Sequence, residues 1–283
     1  MTTNGDQLFQ DAEKRLKRFL SFGTAKYEDA GDLFVRAANA YKLRKQWRQA
    51  GDSFRRAAEC AEKVEGQEFE IGNQLGHAAN CYKKVDPQLA VSCFREASET
   101  FAAAGRFQTA AKHLKDAAES MKSDGEKEAA AELFLEAASL FESEDQNSSA
   151  QQCELSAADL LADIDKFTDA AEIYQRIGLG VLEDRLRKFS AREYFLKCIM
   201  CHLANSDYVA ADLALEKFNS SDASFSSTRE FELANGIVEA CQSGDEDKFT
   251  ASVYEYDTIS KLDDWKTGIC LKIKQHLEDD DVI

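Results

Sequence analysis

Proline is almost missing from this chain, one residue in 283, and glycine is modest at 14. Helices are therefore seldom interrupted. Collagen-like and low-complexity disordered organisations are excluded, since 44% of the residues are hydrophobic and 10% aromatic. Basic residues are also in short supply: 35 Lys and Arg stand against 52 Asp and Glu, a formal charge of −17. That balance argues against a dedicated nucleic-acid binder, because neutralising phosphates needs a basic surplus. Contact with an anionic surface must come from local basic patches. No run approaches the roughly 18 apolar residues of a membrane span, and the opening Met-Thr-Thr-Asn-Gly-Asp lacks the basic and apolar regions of a signal peptide. The expectation is a cytoplasmic chain that meets membranes only peripherally. Nothing alternates with period two over a useful length, so no sheet is predicted.

What is present is a repeat. An apolar residue followed three positions later by Ala-Ala or Ala-Ser recurs at Phe34, Phe54, Leu75, Phe94, Leu114 and Phe134, and more weakly around Ala157-Ala158, in steps of 19 to 21 residues. One helix and one short turn fit each step. A small pair at a fixed place lets neighbouring backbones approach closely, while the large residue a turn earlier fills the groove between them. Two helices per hairpin give a period of about 40, near the tetratricopeptide class without its consensus. Gly66, Gly105 and Gly125 fall between helical runs, and Asp86-Pro87 reads as an N-cap followed by proline at the first helical position. Gly178-Leu-Gly180 is expected to break the array. Further helices are expected at about 184–204, 207–218, 226–242, 245–255 and 259–277, forming a C-terminal bundle. The fold class is all-α, with a hairpin solenoid over 1–180, a bundle over 181–277 and an acidic tail over 278–283.

No catalytic constellation emerges, and no metal or cofactor is called for: there is no phosphate-loop glycine pattern, zincin motif or Ser-His-Asp set. Cys198-Ile-Met-Cys201-His202 matches the attachment pattern of a c-type haem, but haem attachment needs an exported chain and zinc a second ligand pair. Phe195, Ile199, Met200 and Leu203 surround it, so core packing is the expected role. His77 and His113, beside alanine pairs, read as packing or edge residues. The eight cysteines are scattered and imply no disulfide framework.

Three surface signals remain. Phe19-Leu20-Ser21-Phe22-Gly23 would expose large apolar groups at a turn, and five basic residues with no acidic one lie between Lys14 and Lys26. Shallow insertion into an anionic bilayer surface and a staple between the first two helices both fit. The end Glu278-Asp279-Asp280-Asp281-Val282-Ile283 joins four acids to an apolar terminus, as a solvated end or a docking peptide for a basic partner. Lys42, Arg44, Lys45, Lys83, Lys84, Arg106 and Lys112 form a basic set at helix ends or opposite the alanine face. Lys112 falls roughly 160° from the stripe of Ala110, Leu114, Ala117 and Met121, at about 100° per residue.

The segments Ala38-Asn-Ala-Tyr-Lys-Leu-Arg-Lys-Gln-Trp47, Asn80-Cys-Tyr-Lys-Lys-Val-Asp-Pro87, Gly105-Arg-Phe-Gln-Thr-Ala-Ala-Lys-His113, Asn147-Ser-Ser-Ala150, Phe189-Ser-Ala-Arg-Glu-Tyr-Phe195 and Glu255-Tyr-Asp-Thr-Ile-Ser-Lys-Leu-Asp-Asp-Trp265 together resemble the alpha-type soluble NSF attachment proteins, in order along essentially the whole chain. The resemblance implies a right-handed twisted array of helix hairpins with a C-terminal bundle. It also implies an adaptor, not an enzyme, which coats the four-helix SNARE bundle of the syntaxin type and presents it to the hexameric ATPase NSF for disassembly. SNARE-contacting positions carry over to Lys45, Lys83, Lys84, Lys112, Arg192 and Arg229, with Arg106 joining them from the basic set. The aromatic membrane loop carries over to Phe19 and Phe22, with Leu20 between them. The NSF contact carries over to Asp279, Asp280, Asp281 and Val282, and to Glu239 in the bundle. Gln152 replaces a family lysine, Val282 the penultimate leucine, and Gln242 and Ser243 family acids. A generic tetratricopeptide-like scaffold that clamps a short peptide is the alternative.

Overall fold

The computed structural model describes residues 4–17 and 23–280, the last two by backbone alone. Among the described residues there are fourteen α-helices, three short 3-10 turns and no strand. They divide into two compact units, 1–153 and 154–283.

The first unit holds α1 (Asn4–Lys17), α2 (Ala25–Leu43), α3 (Trp47–Ala61), α4 (Glu68–Tyr82), α5 (Pro87–Ala103), α6 (Phe107–Asp124), α7 (Lys127–Glu142) and the start of α8 (Asn147–Asp163). From α1 to α7 each helix packs on the next, and the short turns force antiparallel neighbours. The repeat supplies the packing. Both members of every pair from Ala37-Ala38 to Ala137-Ala138 are buried, as are Phe34, Phe54, Leu75, Phe94, Leu114 and Phe134. A second device recurs where an aromatic ring lies on a glycine. Tyr41 sits against Gly5 and its hydroxyl donates to Asp6 at 2.8 Å; Tyr82 sits against Gly51 and donates to Asp52 at 2.7 Å.

Four of the turns share one geometry. Lys45, Gly105, Gly125 and Asp145 take positive φ, and the next residue in each case (Gln46, Arg106, Glu126 and Gln146) donates its backbone N–H to the carbonyl five residues back. The α4–α5 turn departs from it. There Asp86 caps α5 by accepting the Leu89 N–H at 3.2 Å, and Pro87 occupies the first turn, where its missing N–H has no partner to lose.

The second unit comprises the rest of α8 with α9 (Phe167–Gly180), α10 (Ala191–Ala204), α11 (Tyr208–Ser221), α12 (Arg229–Ser243), α13 (Glu246–Ile259) and α14 (Asp264–Asp280). Helix α10 is central, packing on α9, α11, α12 and α14. Its Phe195 stacks on Phe218 at 4.1 Å between ring centres and meets Phe225 edge-on. The buried Lys266 of α14 pairs with Glu193 of α10 at 2.5 Å and with Asp263 at 2.8 Å.

Two expectations are corrected here. Gly180 does close α9, but Gly178 lies inside that helix: a Cβ there would come within 2.8 Å of the Phe195 ring, so the glycine serves close packing and is not a break. The helix expected from 184 begins only at Ala191. Residues 181–190 form two 3-10 turns, because Asp184 accepts the Leu186 N–H at 2.9 Å and draws the Arg187 side chain back at 2.6 Å.

Candidate functional site

Antiparallel order sorts the basic residues of the first unit. Turns that follow even-numbered helices fall on one edge of the array and turns that follow odd-numbered helices on the other. Lys45, in the α2–α3 turn, and Lys83 and Lys84, in the α4–α5 turn, therefore share an edge; all three are exposed and make no ion pair among the described residues. Arg48, in the first turn of α3, pairs with Asp86 of the α4–α5 turn at 2.9 Å. Lys45 stands at φ 58, in the left-handed conformation that glycine occupies in the turns at Gly105 and Gly125. A lysine there costs about 1 kcal/mol more than glycine, so conformation alone does not select it.

Arg106 lies on the opposite edge, its guanidinium 4.8 Å above the exposed ring of Phe69. Lys112 is exposed on α6 with Ala110, Leu114, Ala117 and Met121 buried beneath it, as the periodicity predicted. The array thus brings Lys45, Lys83 and Lys84 together and leaves Arg106 and Lys112 elsewhere. Gln152 accepts a hydrogen bond from Lys115 at 2.7 Å.

In the second unit Arg192 and Arg229 make separate contacts. Arg192 Nε lies 3.7 Å from Glu230, the residue after Arg229, and Arg229 donates to Ser260 at 2.9 Å. Just before Arg192 the 181–190 connection presents Leu186, 90% exposed, and Phe189, 66% exposed, with Lys188 Nζ 5.1 Å above the Phe189 ring. Sequence reasoning missed this pair by extending α10 through it. The available signal was Arg185-Leu-Arg-Lys-Phe189, two apolar residues interleaved with three bases.

Glu239 is exposed on α12 and already engaged, accepting from Lys248 at 2.6 Å and Asn235 at 2.8 Å. Those bonds, the one from Lys248 first, hold its carboxyl below the usual carboxylate range. Asp279 and Asp280 end α14. Phe19, Leu20, Phe22, Asp281 and Val282 lie outside the described residues. Cys198 and Cys201 are buried in the core, and burial pushes the Cys198 thiol up to about 12 and that of Cys201 well up, as expected for packing residues. Among the described residues no helix is long and apolar enough to cross a membrane.

The family described as "Soluble NSF attachment protein, SNAP" matches residues 3–278. The beta-soluble NSF attachment protein of Bos taurus is 34% identical over 281 residues, 97% of this chain and 94% of that protein. The alpha-soluble NSF attachment protein of Homo sapiens is also 34% identical, over 97% of this chain and 95% of that protein. A vesicular-fusion protein of Komagataella phaffii is 35% identical over 99% of this chain and 97% of its own length. Alpha and beta types are equally near. With the hairpin array, the α10-centred bundle and this match over nearly the whole chain, the protein belongs to the soluble NSF attachment protein family.

Proposed function

We propose that this chain is an adaptor that binds assembled SNARE four-helix bundles and recruits and stimulates the ATPase NSF for their disassembly in vesicle trafficking and membrane fusion. The observation that carries the reading is the basic edge of Lys45, Lys83 and Lys84, without an ion pair among the described residues, on a protein of net charge −17. Cations left without internal partners on so acidic a chain attract an acidic helical bundle over a distance and hold it by many weak contacts. That suits a substrate released at each cycle.

Arg192 and Arg229 serve the same substrate from the second unit, and Lys112 and Arg106 add dispersed attraction. Leu186 and Phe189 supply the apolar contact that charges alone lack. They stand on a connection whose own hydrogen bonds fix it in place, so little ordering entropy is lost on binding. The acidic end, Asp279 to Val282, with Glu239, meets NSF, which performs the ATP chemistry. Phe19, Leu20 and Phe22, flanked by Lys14, Arg15, Lys17, Arg18 and Lys26, hold the adaptor to an anionic membrane surface.

The test uses the full chain, an immobilised SNARE bundle and NSF. The chain should be retained by the bundle but not by its separated helices, and NSF should be retained only when the chain is present. Retention of NSF without the chain, or no retention of the chain, would overturn the reading.

A further inference from the structure

The chain passes from α12 to α13 through Ser243-Gly-Asp-Glu-Asp247, where acids stand two, three and four places after a serine. No other serine or threonine is followed so closely by three consecutive acids; Ser123 and Ser143, also exposed, are followed by two. A serine kinase whose substrate cleft is basic selects such a run by charge complementarity.

The local structure leaves this serine within reach. Ser243 is exposed in the last turn of α12, its hydroxyl donating to the Glu239 carbonyl oxygen at 2.8 Å. Gly244 follows at φ 68, where an added Cβ would meet nothing within 4 Å. From Gln242 to Lys248 no side chain is buried, whereas Cys241 and Phe249 on either side are. A kinase cleft holds its substrate extended. Opening this stretch gives up the last hydrogen bonds of α12 and the cap that Asp245 places on the Lys248 N–H at 2.8 Å, but withdraws no side chain from the core.

A phosphate here would change the charge of one face. Phosphoserine adds about −1.5 to −2 units of charge and three acceptor oxygens. Glu239 lies one helical turn before Ser243, and Asp245 and Asp247 just after it, all exposed. Lys248, paired with Glu239 at 2.6 Å, is a cation on hand to limit their mutual repulsion.

We propose that Ser243 is a phosphorylation site for an acid-directed serine kinase, and that its phosphate strengthens the hold of this face on a basic partner. That partner is NSF, a consequence that rests on the adaptor reading above. In the transfer Ser243 Oγ attacks the γ-phosphorus of ATP. The new O–P bond forms as the bond to the bridging oxygen of ADP breaks, and the hydroxyl proton passes to the catalytic base of the kinase.

The full chain is incubated with casein kinase II and ATP, and the modified residue is located by mass spectrometry. Phosphate is expected on Ser243, entering at least fivefold more slowly in Glu246→Gln with Asp247→Asn. Parent, phosphorylated chain and kinase-treated Ser243→Ala are then compared on an immobilised SNARE bundle, with and without NSF, over a salt series. The phosphorylated chain should retain NSF at least threefold more tightly than the other two, by a margin that shrinks as salt rises, with binding to the bundle itself unchanged. No incorporation, or incorporation at Ser123 or Ser143 in place of Ser243, would overturn the site. Equal or weaker retention of NSF by the phosphorylated chain would overturn the consequence. NSF retained by neither form would overturn the adaptor reading and that consequence together, while phosphate mapped to Ser243 would still support the site.

Discussion

Replacing Leu186 and Phe189 by serine removes the proposed apolar contact without touching a charge. Leu186 is 90% exposed and Phe189 66%, so nearly all of the first side chain and two thirds of the second are available for burial against a partner. Full burial of a large apolar side chain contributes about 1.5–3 kcal/mol, so a partner that covers half of the exposed surface of each gains about 2 kcal/mol from the pair. At about 1.4 kcal/mol per decade, the double variant should bind the assembled SNARE bundle roughly thirtyfold more weakly. The fold should hardly notice, since surface substitutions cost about 0.5 kcal/mol or less and this connection is held by Asp184 and Ser190 and not by the two side chains. Titration calorimetry at several salt concentrations, with urea unfolding alongside, reads both effects. The slope of affinity against salt should match that of the parent, because every cation is retained. Unchanged affinity would refute the apolar-contact argument. A fall in affinity matched by a fall in the unfolding midpoint would show the pair to be structural.

Three further outcomes follow from the same geometry. Gly51→Ala should destabilise the first unit by about 1–3 kcal/mol in urea unfolding despite alanine's better helix propensity, because the new Cβ would sit 2.6 Å from Tyr82 Cε1 and displace the ring that donates to Asp52; a stabilised variant would contradict this. Phe19→Ser with Phe22→Ser should reduce liposome association and the disassembly of membrane-anchored bundles while sparing soluble bundles; equal loss on both, with a lower melting temperature, would mean that the rings staple α1 to α2. Deleting Asp279 to Ile283 should leave bundle binding intact and abolish stimulation of the NSF ATPase, whereas Val282→Leu should strengthen coupling by no more than about 0.8 kcal/mol, the value of one buried methylene. Undiminished stimulation by the truncated chain would remove the tail from the mechanism.

The hairpin array was legible because close helix approach demands small residues at a fixed place. Ala37-Ala38 through Ala137-Ala138 therefore print the period directly, and every member of those pairs is buried. Turns at Gly66, Gly105 and Gly125 were legible because glycine is the usual residue at positive φ. Those at Lys45, Asp145, Asp165 and Ser206 were not, since the same backbone is there adopted by residues that carry no such mark. The connection before α10 was misread for a related reason. Leu182, Leu186 and Phe189 keep a helical spacing, and only the Asp184 hydrogen bonds turn the chain aside and expose the last two. Individual basic residues could be named from sequence. Their grouping could not, because Lys45 and Lys84 share an edge, and Arg106 does not, only once the chain path is known.

We propose that an exposed basic edge holds an acidic helical bundle. It is tested most directly by Lys45→Glu, Lys83→Glu and Lys84→Glu together, measured against the assembled SNARE bundle across a salt series. Exposed ion pairs contribute about 0.2–1 kcal/mol each, and reversal turns each attraction into repulsion, so binding should fall at least about tenfold at low salt. The parent should weaken as salt rises while the variant, already deprived of the attraction, should change much less. Affinity and salt dependence equal to those of the parent, with helical content intact, would contradict the account.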